Sequence, residues 1–200
     1  MRKKSKLLKV VIESLLVLAL VMSGSVSSFT RDKNETIDAM AFGTGTQMGQ
    51  NVSVQLIIYE YSTPEDRTVL VQAFQQGSNK GLVNALEKMR AVGRMSITGT
   101  LGTDVSYIKV IPTPTGRKIR FVTNRQIRFG EAWADSSTQA FDLSGGELEI
   151  NDQDKNKSTG ALYPAAQLTI NQDGELTINL NQNAWRLSSL IDWKGTPSEN

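Results

Sequence analysis

Residues 52–59 read Val-Ser-Val-Gln-Leu-Ile-Ile-Tyr, and this stretch decides the predicted fold. Val52, Val54, Leu56 and Ile58 form one apolar row, and the row between them begins with a serine and a glutamine. A period of two is typical of a β-strand with one buried face. The pattern therefore predicts a strand whose apolar face must find a partner in the fold.

Two hairpins are predicted further along the chain. The first joins residues 105–111 to residues 118–123, and the second joins residues 167–170 to residues 175–180. The turn of the second contains Asp173-Gly174, a pair that favours a type I′ turn because such a turn needs positive φ at both central residues. We therefore expect a mainly antiparallel sheet.

Two helices are predicted between the first strand and the first hairpin. Thr63 is the expected N-cap and Pro64 the first helical residue, and acidic residues follow that complement the helix dipole. The first helix is expected to end at Gly77, and the second to end just before Gly93. The apolar stripes of the two helices are Val69, Leu70, Ala73 and Phe74, and Leu82, Ala85, Leu86 and Met89.

Both stripes need an apolar partner, and the nearest one in sequence is the strand Val52–Ile58. We expect the two helices to lie on that face of the sheet, with Leu86 buried. The predicted fold class is therefore α+β, a mainly antiparallel β-sheet with a helical pair packed on one face.

The N-terminus has the pattern of a secretory signal peptide. A basic stretch at residues 2–6 precedes an apolar run at residues 15–22 and a small-residue exit at residues 23–28. A membrane anchor needs ~20 apolar residues, whereas Lys9 and Glu13 interrupt the apolar stretch before residue 15 and so leave a shorter run.

We therefore expect residues 1–28 to be a signal peptide and residues 29–200 a single α+β domain with polar termini. Cleavage is expected at Phe29, with Val26 as an alternative start. The expected location is the periplasm or the extracellular space, with no stable membrane insertion after cleavage.

Composition excludes several functions. The chain has 22 basic and 20 acidic residues, but without residues 1–28 the count is 17 against 19, so the net charge changes from +2 to −2. This balance provides no basis for nucleic-acid binding. The chain also lacks His and Cys, which removes Ser-His-Asp and Cys-His catalysis, almost every zinc site and any disulfide. We therefore predict no cofactor and no metal, and the catalytic residues, if any, remain unknown.

Two short motifs have the spacing of ligand sites. Asp152, Asp154 and Asn156 are spaced like calcium ligands, but Lys157 stands where that loop needs glycine, so a solvated polar turn is favoured. The stretch Gly43-Thr44-Gly45 lacks the Lys and Ser/Thr of a phosphate-binding loop, which favours a strand end.

The remaining hypotheses about a functional site involve the three tryptophans. Glu131 and Asp135 flank Trp133 within the segment 129–146, which is the longest predicted loop. Two carboxylates beside an aromatic ring could hydrolyse a glycosidic bond, but the favoured interpretation is that Trp133 fills the core and both acids are solvated. Trp185 and Trp193 are interpreted as packing residues or as an apolar patch.

Several motifs resemble those of an uncharacterised family of exported bacterial proteins. The resemblance covers roughly the mature domain, and it implies export and a single domain but no activity and no site residue. The motifs are Tyr61–Arg67, Val92–Arg94, Gly99–Gly102, Gly116–Ile119, Asn124–Trp133, and Phe141 with Glu147–Ile150.

The sequence thus predicts an exported, non-enzymatic binding or interaction domain of the cell envelope. Its expected partner is an envelope protein or a small ligand. The alternative function is a carboxylate-dependent glycan hydrolase, which depends on how Glu131, Trp133 and Asp135 are arranged.

Overall fold

A computed structural model describes residues 34–45, 48–125, 143–179 and 184–193. All of them belong to one compact unit, which spans residues 33–200. The elements of the described part are β1 (Glu35–Phe42), β2 (Asn51–Ile58), α1 (Pro64–Leu86), β3 (Gly93–Ile97), β4 (Thr103–Thr113), β5 (Gly116–Thr123), β6 (Leu143–Asn151), a 3₁₀ turn (Lys155–Lys157), β7 (Thr159–Ile170), β8 (Leu176–Asn179) and β9 (Trp185–Trp193).

The strands form a closed antiparallel barrel, so the predicted α+β fold is wrong. The order around the barrel is β6-β5-β4-β3-β2-β1-β9-β7, and β6 also pairs with β7, which closes a ring of eight strands. The ninth strand, β8, pairs with the second half of β7 and extends the sheet as a hairpin. Closure removes the open edges that a flat sheet would expose.

The barrel interior is the first of two cores. Val54, Leu56 and Ile58 point into it, as the alternating pattern predicts for one face of this strand. Their partners are other strands rather than helices, and they include the large side chains of Phe121 and Trp185. An eight-stranded barrel is only just wide enough for its interior to be filled by side chains, and these residues fill it.

Two glycines let the barrel close tightly at the seam between β6 and β7. A Cβ atom at Gly146 would lie 2.9 Å from the carbonyl oxygen of Ala161, and one at Gly160 would lie 2.7 Å from the carbonyl oxygen of Glu147. Both distances are well below van der Waals contact. Glycine within a strand often marks such a close approach at a barrel corner.

The helical region is one kinked helix rather than the predicted pair. The chain is helical from Pro64 to Leu86, with non-helical angles at Ser78 (φ 49°, ψ −138°). The predicted start is confirmed: Thr63 is the N-cap, its hydroxyl accepts from the backbone N–H of Asp66, and the Asp66 carboxylate accepts from Thr63 N–H. In the described part of the chain no helix is long and apolar enough to cross a bilayer.

The helix covers the outer wall of the barrel, not the face that carries Val52–Ile58. Leu86 is buried, as predicted, but it packs with outward-facing residues of the strands β4 to β8. Val69 is 48% exposed, so its assignment to the buried stripe is wrong. This second core consists of Leu70, Leu82, Val83, Leu86, Tyr107, Val122, Leu143, Tyr163, Ala166, Leu168, Leu176 and Ile178.

Both predicted hairpins are confirmed, and one predicted turn is wrong. β4 pairs with β5, and β7 pairs with β8. In the second turn Gly174 has φ 70° while Asp173 has no positive φ, which is incompatible with a type I′ turn. The side-chain oxygen of Asn171 instead accepts from the backbone N–H groups of Asp173 (3.0 Å) and Glu175 (2.8 Å).

Candidate functional site

A bulge in β9 determines which side chains face inward at one end of the barrel. Between Ser188 and Ile191 this strand carries one residue more than β1 does, and Ser189 has φ 53°. Left-handed backbone is unfavourable for a residue other than glycine. Such strained positions tend to cluster at functional sites. The extra residue lets Asp192 reach the barrel interior and leaves Trp193 on the outside.

Inside this end, an arginine spans the mouth of the barrel. Arg117 on β5 donates from Nη2 to Asp192 Oδ2 at 2.6 Å and to Glu35 Oε1, and from Nη1 to the Tyr61 hydroxyl at 3.2 Å. Tyr61 in turn donates to Glu35 Oε2 at 2.7 Å. We call these four residues the ion cluster; it joins β1, β5 and β9 with the segment that follows β2.

The electrostatics of the ion cluster hold the arginine charged and the tyrosine neutral. Burial raises the pKa of Tyr61, and the hydrogen bond to the Glu35 carboxylate raises it further. Burial alone would lower the pKa of Arg117, but the hydrogen bond and the charge of Glu35 outweigh it, so the pKa of Arg117 is raised. Arg117 pairs with the carboxylates of both Glu35 and Asp192. This arrangement is typical of a structural ion pair rather than of a general acid and base.

Outside the same end, an exposed tryptophan is joined to a short chain of hydrogen bonds, and two further apolar side chains are exposed at this end. Trp193 is 50% exposed, and its Nε1–H donates to Asp38 Oδ2 at 2.8 Å, while Gln55 Nε2 donates to Asp38 Oδ1 at 2.9 Å. Ile191 is 48% exposed on the same strand, and Tyr59 is 41% exposed just after β2. We call these residues, together with Thr36, the Trp193 face.

The two sets of contacts fix the same strand ends from opposite sides. Glu35 is in the ion cluster and its neighbour Thr36 is on the Trp193 face; Asp192 and Trp193 are divided in the same way. The indole is thus held both by its own hydrogen bond and by the strand beneath it. Binding costs less conformational entropy when the binding side chains are already held in place.

Other ion pairs of the described residues connect the helix and the strands. Arg67 donates from Nε to the carbonyl oxygen of Gly174 at 2.8 Å and pairs with Glu175 at 3.3 Å, which ties α1 to the β7–β8 hairpin. Arg120 pairs with Glu147 at 2.6 Å across β5 and β6. Each network is accounted for by the packing of neighbouring elements, so we assign these pairs a structural role.

The residues that the sequence suggested as ligand sites make structural contacts, one set within its own turn and the other between strand ends. Asp154 Oδ1 accepts from the backbone N–H of Asn156 at 3.1 Å and Asp154 Oδ2 lies 3.6 Å from Lys157 Nζ, so this carboxylate caps the 3₁₀ turn. Within the described ranges no three His, Cys, Asp or Glu residues are grouped as a metal would require. Thr44 donates from its hydroxyl to the carbonyl oxygen of Ala184 at 2.5 Å.

The predictions made for the three tryptophans have different outcomes. Trp185 is buried in the barrel interior, whereas Trp193 is half exposed, so one is a packing residue and the other belongs to an exposed patch. Glu131, Trp133 and Asp135 lie outside the described residues, as do the predicted signal peptide and its predicted cleavage site.

Sequence reasoning missed the ion cluster, although part of it had a signal. Glu35 is in phase with the inward residues Ile37 and Ala39, and Arg117 is in phase with Ile119 and Phe121. A charge at an inward position of an alternating strand indicates a paired interior group. Asp192 had no such signal, because the bulge changes the phase of β9.

The fold and the site define a closed β-barrel domain with a filled interior and an aromatic platform on its outer wall. Neither a protein-family model, nor a curated protein, nor a solved structure matches this chain.

Proposed function

We propose that this protein is an exported, non-enzymatic binding domain of the cell envelope that recognises its ligand through the Trp193 face. The observation that carries the proposal is a half-exposed Trp193 whose indole N–H is held by Asp38 at 2.8 Å. Tryptophan and tyrosine are the residues most enriched among those that dominate binding energy.

The rest of the described barrel supports this choice of surface. The interior is occupied by side chains such as Phe121 and Trp185, which favours binding on the outside. A second section of the outer wall is already covered by α1. Met48 and Leu101 are also exposed, but they lie singly in two hairpin loops, and scattered apolar side chains are normal on a protein surface.

The export part of the proposal derives from residues 1–28 and is tested separately. Mass spectrometry of the protein from the periplasm or the medium should find a chain that begins near Phe29 or Val26. A membrane-extracted species that still begins at Met1 would contradict export with cleavage.

The binding part is tested by capture from a cell-envelope extract. The protein is purified in the form that the cell produces and is then immobilised. Trp193→Ala is compared with Val69→Ala, which shortens another half-exposed apolar side chain, on the helix. We expect Trp193→Ala to lose the captured material and Val69→Ala to keep it. Equal capture by both variants and the wild type would exclude the Trp193 face as the binding surface.

A further inference from the structure

The Trp193 face combines one aromatic plate with a row of hydrogen-bonding side chains. In the register of the barrel, Thr36 lies between Ile57 and Trp193. One step along β1, Asp38 lies between Gln55 and Ile191. The apolar residues of β2 and β9 are therefore separated by a hydroxyl and a carboxylate on β1.

This separation disfavours a protein partner. Protein interfaces have a dry, apolar centre surrounded by a polar rim, and a stable one buries ~800 Å² on each partner. On the Trp193 face the polar groups of Asp38 and Gln55 lie at the centre, and they are bonded to each other and to the indole. A partner that covered them with apolar side chains would leave their remaining lone pairs and N–H groups without partners.

The same arrangement complements a sugar ring. A pyranose presents a face of C–H groups that can stack on an indole, and a rim of hydroxyls that each donate and accept hydrogen bonds. The Asp38 carboxylate has about four lone-pair sites, of which Trp193 and Gln55 occupy one each, and the Gln55 amide retains an acceptor oxygen and a second donor hydrogen. The stacking surface and the hydrogen-bonding groups are thus adjacent.

We infer that the Trp193 face is a carbohydrate-binding site, in which a pyranose unit stacks on Trp193 and its hydroxyls bond to Asp38 and Gln55. This inference rests on the proposed binding function and adds the chemical class of the ligand. Ile191, which is exposed and pairs with Asp38, extends the apolar part of the platform, and Tyr59 is exposed two residues beyond Ile57, the partner of Thr36.

The test uses soluble sugars and one insoluble glycan as probes. Cellotriose, maltotriose and tri-N-acetylchitotriose are titrated by isothermal titration calorimetry, a readout that does not depend on Trp193, and purified peptidoglycan sacculi are used in a sedimentation assay. We expect at least one probe to bind saturably. Trp193→Ala should weaken that binding by at least about tenfold. Gln55→Ala should weaken it by about three- to tenfold, the usual range for one hydrogen bond.

Two controls separate binding from folding. Trp193→Phe keeps an aromatic plate without the indole N–H and should retain part of the affinity, whereas Leu101→Ala changes an exposed loop residue and should retain all of it. If no probe binds the wild type, or if Trp193→Ala binds as tightly as the wild type, the carbohydrate assignment is wrong.

A treated envelope extract distinguishes failure of this inference from failure of the proposed function. Before capture by the wild type and Trp193→Ala, the extract is treated with a protease or with reagents that degrade glycans. These are periodate, which cleaves vicinal diols of sugars, and lysozyme, which cleaves the peptidoglycan backbone, whose internal amino sugars lack vicinal diols. Trp193-dependent capture that periodate or lysozyme abolishes and protease spares supports the carbohydrate site. Trp193-dependent capture that only protease abolishes overturns it but retains a binding face, and capture independent of Trp193 overturns both.

Discussion

The outer wall of the barrel has two sections that differ in what lies on top of them. The section under α1 is apolar, with Tyr107, Val122 and Tyr163 facing the helix. No helix of the described ranges lies over the section formed by β1, β2 and β9, and there Trp193 shares the surface with Asp38. A wall with a permanent cover can be wholly apolar, whereas a wall that meets water and a reversible ligand needs hydrogen-bonding groups between its apolar side chains.

The largest effect is expected on the covered wall. Leu86→Ala removes a fully buried side chain between helix and barrel, and such truncations cost about 2–5 kcal/mol of unfolding free energy through lost transfer energy and the cavity left behind. Val69→Ala, on the exposed side of the same helix, should stay within about 0.5 kcal/mol. Urea denaturation measures both, and equal effects would mean that α1 is not a permanent cover.

The next largest loss of stability is expected at the ion cluster, which lies inside the barrel beneath the section formed by β1, β2 and β9. Arg117→Met leaves Glu35 and Asp192 without their shared cation. Removing one partner of a fully buried pair costs about 3–5 kcal/mol, and since this cluster is slightly exposed we expect about 2–4 kcal/mol. Lys118→Met is the control, because its partner Glu149 is mostly exposed and such pairs contribute about 0–1 kcal/mol.

The same substitution also tests whether the ion cluster positions the Trp193 face. If it does, Arg117→Met should weaken binding of the active sugar probe although Arg117 lies on the inner side of the wall. Unchanged binding in the folded variant would show that the hydrogen bond of Trp193 to Asp38 is sufficient to hold the indole.

A smaller, pH-dependent effect is expected from Tyr61. Its raised pKa means that the folded protein keeps the hydroxyl protonated while the unfolded chain ionises above pH ~10, so stability is lost as pH rises past that value. Between pH 8 and pH 11 ionisation of this group in the unfolded chain should lower the stability of the wild type by on the order of 1 kcal/mol, and Tyr61→Phe should not show this loss. Denaturation curves at both pH values should therefore show the gap between wild type and Tyr61→Phe narrowing by that amount at pH 11.

The smallest effect is expected at the bulge that places Trp193 outside. Ser189→Gly should raise stability by about 0.5 kcal/mol, because relief of left-handed strain, about 1–2 kcal/mol, exceeds the entropy that glycine adds to the unfolded chain. Ser188→Gly, one residue earlier on extended backbone, should instead lower stability by about 0.5–1 kcal/mol. Thermal melts of the two variants would move in opposite directions; a decrease in both would remove the strain argument.

Local features were predictable where neighbouring residues determine them. The cap at Thr63 and Pro64 depends on four consecutive residues, and both hairpins depend on strands that are close in sequence. The inward row of β2 followed from its alternation. The kink at Ser78 was interpreted as a boundary between two helices, because a break in pattern does not show whether the helix resumes in contact with its first half.

The candidate site could not be predicted from the sequence in the same way. Its six residues on the Trp193 face come from β1, β2, β9 and the position just after β2, and Thr36 and Trp193 are brought together only when the last strand pairs with the first. Trp193 was recognised as a candidate for an exposed patch, but its partner Asp38 carries no motif. The ion cluster unites residues from opposite sides of the ring, and no spacing in the sequence reveals that approach.

By itself, the sequence determined the strand alternation, the helix start, the hairpins and the absence of His and Cys chemistry, because each depends on composition or on residues within a few positions. Only the tertiary structure decided that the sheet closes, that α1 covers the outer wall and that Trp193 lies beside Asp38. Strand alternation shows that one face is buried but not against what, and a closed barrel and a helix-covered sheet satisfy it equally. The choice depends on long-range contacts such as β6 with β7, where Gly146 and Gly160 allow the last approach.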